Sequence, residues 1–425
     1  MRSRGECVGV VDFGSREIRV LIARKDRDGT IQIIGHGAEP ARGCISQGVI
    51  QDLGAAQVAL KKTLAGAEKE ARVRMHSLFC AVNGKNIESF IREGNVKLER
   101  EVVERAHMAE ALDIASRDVL AAGKRVTSSI TSQEWYVDDL RVADPIGIRG
   151  HVLKIRVHFA LIPEVIEDNL IGCIESQRRD LEEFIFTPLA AAQGCLTPED
   201  MELGVAVLDM GRGATGLAVY RDYRTLGTHC FEWGGYQITR DVAAGLQISF
   251  EEADELILTY GVSQELIRQD SEDEPEPHTP NEDETGTPIK LKTAVSGAPA
   301  IVDRKHLEMI IYERAKELMV KTRQHLHARG LMRNLIRGVV ITGGAGAIKN
   351  QVLLADAVFQ VPCRLGVPNT VEILPQAVCA PEYAAAVGLV RHAFEYRAAV
   401  RSSHIDSPLY ALGRTVGRTI RRYFF

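Results

Sequence analysis

Residues 8–23 (VGVVDFGSREIRVLIA) set an apolar run on each side of a short Asp-Phe-Gly-Ser stretch. Alternation resumes after the glycine, so the segment predicts a strand, a tight turn and a second strand. Leu53, Val58, Leu60, Leu64 and Ala67 recur at helical spacing and predict a helix over 53–70, with MHSLFCAV as the strand after it. A helix is expected over 101–122 and a cleanly alternating strand over 151–160 (HVLKIRVHFA). Another helix, over about 163–178, and the segment around Pro188 follow.

At 204–220 (GVAVLDMGRGATGLAVY) the opening pattern returns. Asp209 and Gly211 superpose on Asp12 and Gly14 with their apolar flanks in register. An internal echo of this kind predicts a duplicated domain with a cleft between its halves. Farther on, a long helix is expected over 303–329, then a strand, the turn Gly343-Gly344-Ala345-Gly346 and a further helix. Residues 269–286 (QDSEDEPEPHTPNEDETG) are acidic, contain proline and are almost free of apolar side chains. They predict a disordered surface insertion, read as a passive loop in preference to a regulatory one. Residues 397–408 read as a linker to the tail.

The tail 409–425 (LYALGRTVGRTIRRYFF) is amphipathic as a helix. Leu409, Leu412, Val416, Ile420, Tyr423 and Phe424 fall within an arc of roughly 120°, and Arg414, Arg418, Arg421 and Arg422 lie opposite. No acidic residue interrupts it, and such a helix lies in a membrane interface with its arginines against anionic headgroups. Each arginine near an anionic surface contributes about 1 kcal/mol, and each largely buried apolar side chain about 1–2 kcal/mol. Gly413 and Gly417 weaken the helix in water by about 1 kcal/mol each, which suits a segment that orders on binding. The competing reading, a helix docked on the protein's own core, is disfavoured by the polar stretch RSSHIDS (401–407) before it and the four arginines on one face.

Composition narrows the choice. A formal net charge of -5 argues against a general nucleic-acid binder. The 8 cysteines include no Cys-x-x-Cys pair and are read as buried, reduced thiols of a cytosolic protein. No Cys/His spacing suggests zinc; His325 and His327, two apart on a predicted helix, do not share a face and are read as surface residues. The opening MRSRGECVGV lacks the apolar core of a signal peptide, and no apolar run approaches the roughly 20 residues that span a bilayer. The chain is expected to remain on the cytoplasmic side.

The two Asp-x-Gly turns carry the candidate chemistry. Glycine lets backbone N–H groups approach phosphate oxygens closely. Asp12 and Asp209 would hold a hydrated magnesium ion, which prefers oxygen ligands. Gly343-Gly344 opens a helix after a strand, a place where a nucleotide can lie against backbone. Gly211-Arg212-Gly213-Ala214-Thr215-Gly216 matches the letters of the dinucleotide fingerprint, but that fingerprint needs a helix next, and the apolar β run LAVY follows. A Walker lysine loop is absent.

These residues resemble the actin, sugar-kinase and heat-shock chaperone superfamily, and within it the FtsA family. The resemblance rests on the first hairpin, GCISQGVIQDL (43–53), AVNGKNI (81–87), TPLAAAQGCLTPEDMELGVAVLDMG (187–211), WGGYQITRDVA (233–243), VVITGGAGAI (339–348), EYAAAVGLV (382–390) and the amphipathic tail. It implies an α/β, actin-like two-lobed fold with duplicated ribonuclease-H-like domains, an inserted small α+β subdomain and a C-terminal amphipathic helix. The first lobe would take 1–87, 164–202 and 375–396, the inserted subdomain 88–163, and the second lobe 203–374.

Carried over by position, Asp12, Gly14, Ser15, Arg16, Asp209, Gly211, Gly213, Thr215, Gly234, Gly235, Gly343 and Gly344 would line a site for ATP with magnesium. Several positions depart from the family pattern. Glu17 stands where a lysine is usual, with Arg16 or Arg19 as the compensating cation. Ala214 and Gly216 replace a hydroxyl and a carboxylate, and Ile257 and Asp254 replace a nucleotide-facing lysine and glutamate. Efficient hydrolysis is therefore not expected. The resemblance further implies tethering of the C-terminal tail of FtsZ, with Arg314 and Lys321 as the basic contacts, together with self-assembly and recruitment of later division proteins. The expected place is the cytoplasmic face of the inner membrane at the division site. The alternatives are a PilM-like pilus-assembly adaptor, which lacks the terminal helix, and an ATP-dependent small-molecule kinase.

Overall fold

The computed structural model describes residues 5–84, 86–98, 102–120, 126–127, 133–271, 288–290 and 301–403. The tail 409–425 and residues 272–286 of the acidic insertion lie outside them.

Both aspartate motifs fold as antiparallel hairpins. Glu6–Phe13 pairs with Glu17–Lys25, placing Asp12 opposite Arg19. Val205–Met210 pairs with Thr215–Arg221, placing Asp209 opposite Gly216. Each hairpin grows in the same way. A third antiparallel strand, Ile31–Pro40 or Arg224–Phe231, joins on one side. Two parallel strands join on the other: Ser77–Val82 with Asp180–Phe186, and Val339–Thr342 with Cys363–Leu365. The two five-stranded sheets therefore share one strand order, as a duplicated domain requires. Their central strands are buried on both faces and read as continuous apolar runs, because helices cover each side of the parallel portion.

The lobes meet where two helices cross. Thr187–Cys195 lies on the second hairpin and Ala384–Ser403 lies on the first. At the crossing only glycine fits, since a Cβ on Gly388 would stand 1.8 Å from the Ala190 carbonyl oxygen and one on Gly194 2.0 Å from that of Ala384.

A separate small unit follows Val82. Strands Glu88–Lys97, Gln133–Val137, Leu140–Val142 and Val152–Leu161 form an antiparallel sheet with the helix Arg105–Leu120 on one face. Its own core includes Leu153, Ile155, Trp135 and Phe159. This unit leans on the outer strand of the second lobe. Ser89 Oγ donates to the Thr228 carbonyl at 2.7 Å, a His158 ring nitrogen lies 3.0 Å from Thr228 Oγ1, and Arg224 pairs with Glu134 at 3.4 Å.

Most expected elements recur with small shifts, such as the helix Arg304–Ala328 and the strand Val152–Leu161. Five expectations need correction. Gly343-Gly344 does not open a helix, because residues 343–350 run as successive turns and the helix Gln351–Phe359 starts only after them. The expected linker begins too early, because the helix Ala384–Ser403 continues through Ser403; Arg397 holds Glu182 and the Cys7 carbonyl, and Arg401 pairs with Glu6 at 2.7 Å, which keeps that last part docked. The acidic insertion begins too early as well, since Gln264–Ser271 is helical and Asp270 pairs with Lys316 at 2.7 Å. His325 is not a free surface residue, for it stacks on His229 at 4.1 Å. Cys379 is exposed, and Cys7 and Cys363 are half-buried, so burial of all the thiols does not hold. Among the described residues no helix is long and apolar enough to cross a membrane.

Candidate functional site: a cleft between duplicated turns

The strands Glu6–Phe13 and Val205–Met210 end at a common cleft that opens to solvent. Asp12, Gly14, Ser15 and Arg16 line it from the first lobe; Asp209, Gly211, Gly213, Gly235, Gly343 and Gly344 line it from the second. The turns face one another at close range. A Cβ on Gly213 would lie 2.6 Å from Ser15 Oγ and 2.7 Å from the Gln47 nitrogen, both in the first lobe. Gly343 has φ +81°, and a Cβ there would stand 2.5 Å from Asp209 Oδ1. Only glycine brings backbone this near the carboxylate.

Two expected residues do not line the cleft. Thr215 is fully buried and its hydroxyl donates to the Trp233 carbonyl at 2.7 Å. Gly234 begins the helix Gly235–Leu246 and packs over Gly211 and Arg212, supporting the turn from behind. The missing carboxylate at Gly216 has a packing reason: a Cβ there would lie 3.0 Å from three atoms of the Pro188 ring.

Charge inside the cleft is unevenly balanced. Burial pushes the Asp209 carboxyl up to about 7, helped by neighbouring Asp12 and opposed by Arg19. Burial also raises Asp12, again opposed by Arg19. Arg19 thus supplies the buried compensating cation, 4.0 Å from Asp12 and 2.8 Å from Glu17. Its guanidinium also lies 5.1 Å from the centre of the Tyr383 ring. Glu17 is turned onto Arg19, which relieves the repulsion that a carboxylate near a polyphosphate would cause.

Sequence reasoning missed three features of this site. Arg212 Nη1 pairs with Asp254 Oδ2 at 2.5 Å across one wall, and Thr239 Oγ1 donates to the other carboxylate oxygen at 2.6 Å. The floor is tied between lobes, with Gln47 Nε2 donating to the Glu232 carbonyl at 2.9 Å and Cys230 Sγ lying 3.0 Å from Asn83 Oδ1. Ile257, Leu258 and Ile348 make an apolar wall beside the glycine turns. The resemblance already puts Ile257 and Asp254 at nucleotide-facing positions, and both line the cleft; the apolar spacing of the helix Phe250–Tyr260 was the signal for Leu258 beside them. Nothing local marks Arg212 and Asp254 as partners.

As a donor set, two adjoining carboxylates with exposed glycine backbone and an apolar wall fit a magnesium polyphosphate carrying a flat base. A divalent cation between Asp12 and Asp209 would offset the burial, and the smaller repulsion from Asp12, that raise Asp209. Among the described residues no cluster of three or more metal-ligating side chains occurs.

The proposed basic contacts lie elsewhere. Arg314 is paired with Asp241 and with Glu317, and Lys321 sits 2.9 Å from Glu317 with its ammonium 3.2 Å from the centre of the Trp233 ring. Both cations therefore belong to one network on the helix Arg304–Ala328 and its neighbours.

Comparison with known proteins agrees with this architecture. The chain matches the family model of cell division protein FtsA over residues 206–388 and that of the SHS2 domain inserted in FtsA over residues 84–161. It is 26% identical to cell division protein FtsA of Pseudomonas aeruginosa over 96% of this chain and 94% of that protein. It is 25% identical to the Escherichia coli K12 protein of the same name over 91% and 90%. Among solved structures, the PilM-PilN type IV pilus biogenesis complex superposes with a TM-score of 0.62 at 14% identity, covering 91% of this chain and 98% of that one. MreB5 of Spiroplasma citri bound to ADP superposes with a TM-score of 0.53 at 12% identity, covering 94% and 98%. At such identities the structures establish the fold alone, and that fold is actin-like.

Proposed function

This chain belongs to the FtsA family of cell division proteins, and from that premise we propose that it tethers FtsZ filaments to the cytoplasmic face of the membrane. The tail 409–425 is the anchor, its apolar stripe among acyl chains and its four arginines at anionic headgroups. The FtsZ C-terminal tail is held on the second lobe, where Arg314 and Lys321 exchange their own carboxylates for those of the acidic peptide. The chain self-assembles as actin-like proteins do and recruits later division proteins. In the cleft, Asp12 and Asp209 hold magnesium through water, the turns at Gly14 and Gly213 present backbone N–H groups to phosphate while Gly211, whose own N–H donates to the Ala214 carbonyl at 3.0 Å, lets the backbone come close, and Gly343-Gly344 lies against the nucleoside. When bound, the magnesium nucleotide supplies charge that bridges the lobes. With Ala214 and Gly216 in the second turn, its part is structural, without efficient hydrolysis.

The observation that supports the tether most directly is the unbroken segregation of six apolar side chains from four arginines in the last residues of the chain. Co-sedimentation with vesicles containing an anionic lipid tests it. The full chain should pellet and a chain ending at residue 408 should remain in the supernatant, while both bind an FtsZ C-terminal peptide equally. Equal pelleting of the two chains would refute the anchor.

A further inference from the structure

Arg212 and Asp254 form an ion pair across one wall of the cleft. Arg212 is the central residue of the second turn. Its backbone is fixed, since its carbonyl accepts from the Tyr236 amide at 2.8 Å, but its side chain reaches across to Asp254 on the helix Phe250–Tyr260. Of the cations lining the cleft, Arg16 is solvent-exposed and Arg19 is buried against Asp12 and Glu17. Arg212 differs from both, because it faces the cleft and its ion pair is partly open to water, the side chains being 24% and 28% exposed.

We propose that the Arg212–Asp254 pair is a charge-exchange latch: a bound polyphosphate takes the guanidinium, and Asp254 is released from the turn. This rests on the nucleotide reading of the cleft given above. A partly hydrated ion pair holds weakly, whereas a guanidinium fork on phosphate makes paired, charge-assisted hydrogen bonds. The exchange is therefore favourable once phosphate arrives. Asp254 keeps one partner afterwards, since Thr239 Oγ1 still donates to it. The exchange has a mechanical consequence. The pair ties the turn to the helix Phe250–Tyr260, so nucleotide loosens that helix from the second turn.

Two substitutions predict opposite signs for the full-length chain titrated with magnesium ATP by calorimetry. Arg212→Ala removes the phosphate contact and should weaken binding about tenfold, and Arg212→Lys, which lacks the fork, should fall between it and the parent. Asp254→Asn removes the competing anion and should tighten binding several-fold, on the order of three to ten. Amide exchange gives a second readout. Protection across 250–260 should fall when the parent is saturated with magnesium ATP, and should already be low in nucleotide-free Asp254→Asn. Binding that neither substitution alters, or that both shift in one direction, would overturn the latch while leaving the nucleotide site intact. No binding by the parent or by either variant would overturn both.

Discussion

The two aspartate turns are copies in backbone and opposites in electrostatics. In the first, the position paired with the aspartate across the hairpin is Arg19, a buried cation held between Asp12 and Glu17. In the second, the paired position is Gly216, emptied so that Pro188 can pack, and the cation has moved into the turn itself as Arg212. Duplication conserved the strand order that sets a carboxylate at the mouth of each lobe. The balancing charge was placed inside one lobe and at the rim of the other. The inner cation therefore serves stability, and the outer one is available to a ligand.

That contrast is broken most decisively by deleting each cation in turn. Arg19→Ala leaves Asp12 and Glu17 without their buried partner and should cost about 4 kcal/mol in denaturant unfolding at neutral pH. Arg212→Ala removes a partly hydrated pair and should cost under about 1 kcal/mol. Equal losses would mean that the two turns are electrostatic copies after all.

The outer strands of the lobes also differ, and acid reads the difference. In the first lobe the outer strand Ile31–Pro40 carries His36, which is half-exposed and paired with Glu70 at 2.8 Å. In the second, the equivalent strand Arg224–Phe231 carries the inserted unit, and His158 is sealed at that seam with its ring beside Thr228. Burial, with a smaller push from Arg156, lowers His158 from 6.5 to about 4. The folded pKa lies below the unfolded one, so this contribution to stability is complete above pH 6.5 and disappears as pH falls towards 4. A shift of this size amounts to about 3 kcal/mol at the acid end. His325 and His392 are also pushed down to about 4, so the parent loses several such shares. His158→Gln should remove one of them, flattening the slope of stability against pH between 6.5 and 4. An unchanged slope would show that the seam takes up a proton without opening.

The same contrast marks how far the fold and the site could be read from the chain. The duplicated hairpins were legible because apolar strands around an Asp-x-Gly turn are a local pattern, and the period-2 and period-3.6 alternations elsewhere set the main helices and strands. The glycines of the cleft were legible for the same reason. Thr215 was misread because a strand's inward and outward faces alternate, and one residue decides whether a hydroxyl meets the cleft or the Trp233 carbonyl. Arg212 with Asp254, Gln47 with Glu232 and Cys230 with Asn83 join positions remote in sequence, where periodicity carries no signal. The end of the last described helix was misplaced because Arg397 and Arg401 hold it through tertiary ion pairs, and local propensity does not record them.

The smallest expected effect tests whether the copies actually touch. Gly213 belongs to the second turn, yet its missing Cβ would point at Ser15 Oγ and the Gln47 amide of the first lobe. Gly213→Ala should therefore cost about 1–2 kcal/mol by forcing the lobes apart at that point. Ser15→Ala removes the nearer obstacle but leaves the Gln47 backbone in place, so the double variant should recover part of the loss and not all of it. A double-mutant cycle on unfolding free energies isolates the contact, with an expected coupling of at least about 0.5 kcal/mol. Strict additivity would mean that the turns do not meet. The cleft would then owe its width to the crossing of Gly194 and Gly388 and to the floor contacts alone, and the face-to-face turns would play no part in holding the lobes together.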